Sequence, residues 1–181
     1  MSIERLLLIA VGTCLGLVLG VLLYGSLLRT HWRVERHTII DAPVAVIHPL
    51  VDSPKEWTRW VASGSTPGTE AFGGERGVGA GLRWEKGELE IIASDPEVGV
   101  RYETRLQELP PSEGSLSYSQ AQGGTKVTWI DEGDYGRWPL GGYVVSRIER
   151  SVGRRCDRSL RSLTLLAERQ AQGTAIVSPE P

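Results

Sequence analysis

Three histidines, two cysteines and one glycine-rich segment are the residues of this chain with the chemistry for metal binding, nucleophilic attack or phosphate binding. None of them assembles a recognisable motif. His31, His37 and His48 are scattered, and no cysteine or carboxylate stands at zinc-like spacing from them. His31 and His37 read as solvated residues of a strand close to the first apolar segment. His48, beside Pro49 in a short helix, reads as a surface or packing residue. Cys14 lies inside an apolar run and Cys156 far downstream, so the two do not pair. Cys156 falls on an apolar helical stripe, which favours a core role over a nucleophilic one. The segment Gly73-Gly74-Glu75-Arg76-Gly77-Val78-Gly79-Ala80-Gly81 has the glycine density of a phosphate loop but lacks the Lys-Ser/Thr that would follow, and strand alternation comes next. No G-x-S-x-G elbow is present. The expectation is therefore no metal, no cofactor and no identifiable catalytic residue.

The aromatic residues carry more information. Six tryptophans against a single phenylalanine is an unusual balance, and Trp57, Trp60, Trp84, Trp129 and Trp138 all fall in the region of alternating patterns. Trp offers a wide apolar face with one N–H donor, which suits the wall of a cavity for a largely apolar ligand. Plain core packing is the competing reading for each of them. Trp84, Tyr102, Tyr118 and Trp129 share the apolar face of their strands and are the cavity-lining candidates. Val152, Cys156 and Leu160 face them from the last helix. A ligand site there requires a void of roughly 300 Å³ or more.

The elements that must position these residues follow from periodicity. Arg33 to Ile40 is β-rich and runs into Asp41-Ala42-Pro43, where Asp41 is placed to cap a helix and Pro43 to occupy its first turn. Two short helices follow, about Pro43 to Val51 and Pro54 to Trp60. Period-two alternation then marks strands around Ala80–Trp84, Leu89–Ala93, Val100–Leu106, Leu116–Tyr118 and Val127–Trp129. Asp95-Pro96, Pro110-Pro111 and Gly123-Gly124 read as the turns between them. Connections this short allow only an antiparallel meander. From about Leu140 to Gln172, Val145, Ile148, Val152, Cys156, Leu160, Leu163 and Leu166 form one helical stripe. Arg147, Arg150, Arg154, Arg158 and Arg161 occupy the opposite face, solvated or turned to anionic headgroups. Arg83, Glu85, Glu88, Glu90, Arg101, Glu103 and Arg105 make a wet sheet face with cross-strand ion pairs. The fold class is α+β, a curved antiparallel sheet wrapped around a long C-terminal helix, with an elongated apolar space between them.

Ahead of this domain, Leu6 to Leu28 carries no charged side chain. As a helix it is roughly 34 Å long at about 1.5 Å per residue, enough to cross a ~30 Å hydrocarbon core. A cleavable signal peptide is the competing reading, but the run is long for one and no A-x-A-like site follows it. Arg29, Arg33 and Arg36 after the span outweigh Arg5 before it, which places the domain on the cytoplasmic side of the cell membrane. Gly12, Gly16 and Gly20 stack along one helix face, a pattern that permits close helix pairing, either with a second copy to give a homodimer or with a different protein. The chain divides into an anchor (1–31), one domain (32–172) and a disordered tail (173–181). A net charge of −2 and a pI near 6.0 argue against a nucleic-acid partner. The chain has no Asn and so no N-glycosylation site.

Val34-Glu35-Arg36 through Ile40-Asp41-Ala42-Pro43, then Glu56-Trp57-Thr58-Arg59-Trp60, resembles the opening of the SRPBCC (START/Bet v 1-like) superfamily, in its polyketide cyclase/dehydrase-like branch. Gly77-Val78-Gly79-Ala80 leading to Trp84, Gly124-Thr125-Lys126-Val127-Thr128-Trp129 and the closing helix ending Leu160 to Glu168 extend the likeness, which spans about Trp32 to Arg169. The hairpin between Trp84 and Glu90 is shorter than in that pattern. The resemblance implies a helix-grip fold around a hydrophobic ligand cavity. The resulting expectation is a membrane-tethered module that binds a lipid-like or other hydrophobic small molecule. A cyclase/dehydratase-type enzyme and a non-catalytic structural or regulatory membrane protein are the alternatives.

Overall fold

The computed structural model describes residues 3–61, 68–136 and 140–177. Helix α1 (Ile3–Leu27) is followed by strand β1 (His31–Ile40), helices α2 (Val44–Val51) and α3 (Pro54–Trp60), strands β2 (Glu70–Phe72), β3 (Gly81–Trp84), β4 (Gly87–Asp95), β5 (Gly99–Leu106), β6 (Leu109–Ala121) and β7 (Gly124–Asp134), and helix α4 (Gly141–Val177). The strands form one antiparallel sheet in the order β1-β7-β6-β5-β4-β3-β2. Helix α4 lies across the inner face with α2 and α3 against it, giving the helix-grip architecture anticipated from the alternating strands and the final stripe. Among the described helices, α1 alone is long and apolar enough to cross a membrane, and its apolar 18-residue stretch is not buried in the protein.

The inner face supplies Ile40, Val100, Tyr102, Leu116, Val127 and Trp129, which pack with Ile47, Leu50, Trp57 and Trp60 and with Cys156, Leu160, Leu163 and Ala167 of α4. A smaller cluster of Trp32, Val34 and Val145 joins the start of β1 to the start of α4. On the outer face Arg83 pairs with Glu88 at 2.9 Å, Arg101 with Glu113 at 2.9 Å and Arg105 with Glu88 at 3.3 Å. These are the expected cross-strand ion pairs.

Several local expectations are corrected. Pro110-Pro111 is not a turn. Thr104 pairs with Ser112 and Leu106 with Leu109, so both prolines lie inside β6 opposite Arg105 alone. A bulge with two residues facing one is where a strand tolerates missing N–H donors. A second irregularity sits between Ile91 and Ala93 of β4. It breaks the simple alternation of Leu89, Ile91 and Ala93, and Ser94 takes the position opposite Val100. Asp41 does not cap α2. Pro43 occupies the cap position, and no side-chain hydrogen bond closes that end. Helix α4 continues past Gln172 to Val177, and residues 178–181 of the expected tail lie outside the described ones. A two-residue turn joins β3 to β4, with Trp84 paired directly to Gly87. The glycine-rich segment is the loop joining β2 to β3. It is pinned by Gly77 N–H donating to the Asp52 carbonyl at 2.9 Å and Gly79 N–H to that of Ile91 at 2.9 Å.

Candidate functional site

The interior organises around one carboxylate. Strand β7 places Thr125, Val127, Trp129 and Asp131 on its inner face in strict alternation, so Asp131 is carried into the core and is 4% exposed. A buried carboxylate needs both hydrogen-bond and charge partners. Asp131 has both. The Tyr102 hydroxyl donates to Asp131 Oδ1 in a short hydrogen bond, and Arg155 Nη2 donates to Oδ2 at 2.8 Å. Trp129 Nε1 donates to the Tyr102 hydroxyl at 2.8 Å, and the Cys156 thiol lies 3.7 Å from Oδ2.

Register explains how Tyr102 reaches so far. Tyr102 of β5, Gly114 of β6 and Asp131 of β7 form one row across the sheet. A Cβ at Gly114 would lie 2.0 Å from Tyr102 Cζ and 2.5 Å from Asp131 Oδ1. The absent side chain lets the phenol lie flat across the middle strand.

Burial, then the Asp131 charge, pushes the Tyr102 hydroxyl well above its ordinary range, so it serves as a fixed donor. The Cys156 thiol is pushed up to about 12, by burial first and Asp131 second. That excludes a thiolate nucleophile at neutral pH. Burial opposes the Arg155 charge, but the Asp131 carboxylate beside it prevails and holds the guanidinium protonated.

Four rings close over this network. Trp57 meets Tyr102 edge to face at 4.9 Å, and Trp60 meets Trp129 at 5.6 Å between centroids. Trp57 and Trp60 spend their indole N–H groups on the Val51 and Leu50 carbonyls, at 2.7 and 2.9 Å. Their rings therefore fill the elongated space between sheet and closing helix where a ligand was expected. What remains is a cavity of about 230 Å³ toward β3–β5, lined by Trp57, Val61, Thr69, Leu82, Trp84, Leu89, Tyr102, Thr104, Leu106, Trp129 and Arg155. It falls short of the roughly 300 Å³ set for a ligand site there, so the lipid-sized cavity expected is corrected to a smaller space. Arg155 Nε is buried in the wall without a hydrogen-bond acceptor.

Of the cavity candidates, Trp84, Tyr102 and Trp129 line this space. Tyr118, Val152, Cys156 and Leu160 do not: Cys156 and Leu160 are core, and Val152 packs partly buried between the two clusters. Tyr118 belongs to another group, with its hydroxyl 3.2 Å from His48 Nδ1. His48 Nε2 in turn lies 3.8 Å from Asp52, which accepts from Ser94 at 2.5 Å. His31 and His37 are exposed on β1. Trp138 lies outside the described residues. Gly12, Gly16 and Gly20 of α1 have open space around them. Asp131, Arg155 and Gly114 were missed by sequence reasoning. The available signal was Asp131 two residues beyond Trp129 on an inward face, with Arg155 one residue from the apolar stripe.

The sequence matches no protein-family model and no curated protein. Its structure is similar to Ara h 8.0201, with a TM-score of 0.57 at 16% identity, over 76% of this chain and 97% of that one. SA2116 from Staphylococcus aureus, a protein of unknown function, gives 0.61 at 9% identity over 78% and 96%. CalU16 from Micromonospora echinospora gives 0.51 at 14% over 81% and 96%. These likenesses show a shared helix-grip fold.

Proposed function

We propose that this protein is a membrane-tethered module that binds a compact hydrophobic molecule bearing one hydrogen-bond acceptor. The cavity wall carries the reading: a largely apolar pocket with one guanidinium, that of Arg155, among its lining side chains. Asp131 already balances the Arg155 charge, so the wall favours a neutral carbonyl or hydroxyl oxygen over a second carboxylate. Size sets the other limit. An apolar cavity of about 150 Å³ holds benzene, and drug-sized ligands need about 300 Å³ or more. A space of about 230 Å³ therefore fits one ring or a small fused pair, and excludes the body of a long-chain lipid. Helix α1 is the anchor, with the domain on the cytoplasmic side, and the Gly12-Gly16-Gly20 face is its surface for pairing with a second copy.

The test compares 2-naphthaldehyde with naphthalene on the full chain in lipid nanodiscs, read by quenching of tryptophan emission. Both should bind, the aldehyde more tightly. Arg155→Met should remove the aldehyde's advantage and leave naphthalene within twofold. Failure of both compounds and of their single-ring analogues to quench defeats the binding reading. An equal effect of Arg155→Met on both defeats the assignment of the polar contact.

A further inference from the structure

The end of the sheet at which α1 enters carries the rim of the cavity. Helix α1 ends at Leu27 and β1 begins at His31, so almost no linker separates anchor and domain. His31 pairs with Asp134 at the end of β7, and Ser112 near the start of β6 pairs with Gly133. Leu109 pairs with Leu106, which pairs with Gly87, and Gly87 pairs with Trp84. The β3–β4 and β5–β6 hairpins thus project at the same end as the anchor.

Contacts between α1 and α4 fix the height of that end. The Tyr143 hydroxyl donates to the Val21 carbonyl at 2.8 Å. Val21 lies about 9 Å back along α1 from Leu27 at 1.5 Å per residue. The Tyr24 and Tyr143 rings are 6.3 Å apart, and Gly142 is so close to Leu28 that a Cβ there would lie 2.2 Å from Leu28 Cβ. Arg29 adds an ion pair to Glu149 at 2.6 Å. The first turn of α4 therefore overlaps the last turns of the span, at the membrane face where the helix emerges and where tyrosine accumulates. At this end Leu106, Leu109, Leu140 and Tyr143 are 36%, 42%, 40% and 42% exposed. Leu106 lines the cavity and also an outer groove shared with Lys86, Leu109, Pro110 and Tyr135.

Resting on the binding and tether readings above, we infer that the cavity mouth at Leu106 faces the bilayer and that the ligand passes between cavity and membrane without crossing bulk water. The occupant of the outer groove is lipid, with Lys86 and Glu108 at headgroup level.

The full chain, carrying Cys14→Ala, is labelled with an environment-sensitive NBD probe at Leu109→Cys or at Val98→Cys, and reconstituted in phosphatidylcholine vesicles. Val98 sits in the opposite turn, about 26 Å away along β5 at 3.3 Å per residue. A phospholipid bearing a shallow nitroxide should quench the Leu109 label at least threefold more than the Val98 label. Equal, water-like emission overturns the placement. A Leu109 label that is shielded in detergent and vesicles alike but not quenched marks a protein contact, and also overturns it. In the second arm, Leu109→Glu with Leu140→Glu should slow uptake of 2-naphthaldehyde from vesicles about tenfold, with binding in detergent unchanged. Normal binding with unchanged uptake sinks the passage alone. Absence of wild-type binding in detergent sinks the binding reading and the passage together.

Discussion

Removing the Asp131 carboxylate distinguishes a coupled polar network from ordinary core packing. In Asp131→Ala the Tyr102 hydroxyl loses its acceptor, and Arg155 keeps a charge without a counterpart. Breaking a buried ion pair from one side costs about 3–5 kcal/mol. Here the Arg155 side chain is 39% exposed against 6% for Asp131. Water screens part of the orphaned charge, and the low end, about 3 kcal/mol, applies. In a domain of roughly 150 residues each kcal/mol moves the melting temperature by about 2–4 °C, so Tm should fall by roughly 6–12 °C. Removing Arg155 as well, in Asp131→Ala/Arg155→Ala, takes away the orphaned charge and should cost less than the sum of the two single changes by at least about 1 kcal/mol. Thermal melting of the full chain in detergent, followed by tryptophan emission, closes the cycle. Independent sites add within about 0.3–0.5 kcal/mol. If the two losses add within that margin, these side chains do not act as a unit and the reasoning is refuted.

Gly114→Ala should cost about 1–3 kcal/mol by overpacking, because the new methyl collides with the Tyr102 ring at a site held by rigid backbone; an unchanged Tm would show that the phenol does not cross β6 as described. Cys156, in a Cys14→Ala background, should resist iodoacetamide at pH 8.5 in the folded protein and react on denaturation. The fold favours the neutral thiol, moving it from 9.0 to about 12, so its contribution is complete below about pH 9 and is lost as pH rises toward 12. The decline of Tm between pH 9 and 11 should accordingly be steeper for the Cys14→Ala protein than for one also carrying Cys156→Ala, and parallel declines would contradict the assignment.

The architecture was legible because each strand has one wet face. Val100-Arg101-Tyr102-Glu103 and Val127-Thr128-Trp129 announce their orientation residue by residue, and the α4 stripe announces its own. Edge strand β2 was not legible, since its residues Glu70–Phe72 are too few to show a period. Pro110-Pro111 misled because proline usually ends a strand, and only register reveals the bulge that accommodates it. For the site, alternation identified the inward aromatic residues, and three of the candidates do share the cavity. It could not separate wall from core. That depends on how far Trp57 and Trp60 reach from α3, which is a matter of packing between elements distant in sequence. Arg155 was hidden by its neighbours, because an arginine among Arg154 and Arg158 reads as one more solvated charge.

Asp131 connects the volume of the cavity with its polarity. A curved sheet cannot touch a straight helix along its whole length, and the gap must be filled by side chains or by a ligand. Here Trp57, Trp60, Trp129 and Tyr102 fill most of it. Two of the four bring polar edges that find no backbone partner: Trp129 donates to Tyr102, and Tyr102 must donate onward. A buried phenol without an acceptor would cost about 1–3 kcal/mol. Asp131 removes that cost but introduces a buried charge, which in turn requires Arg155. The guanidinium can reach Asp131 only by entering the wall of the remaining space, where its geometry leaves Nε without an acceptor. An entirely apolar residue at position 131 would have removed the need for Arg155 and left a greasy void with no preference for oxygen. The carboxylate that lets the aromatic residues close most of the interior is thus the same group that gives the open part a polar contact.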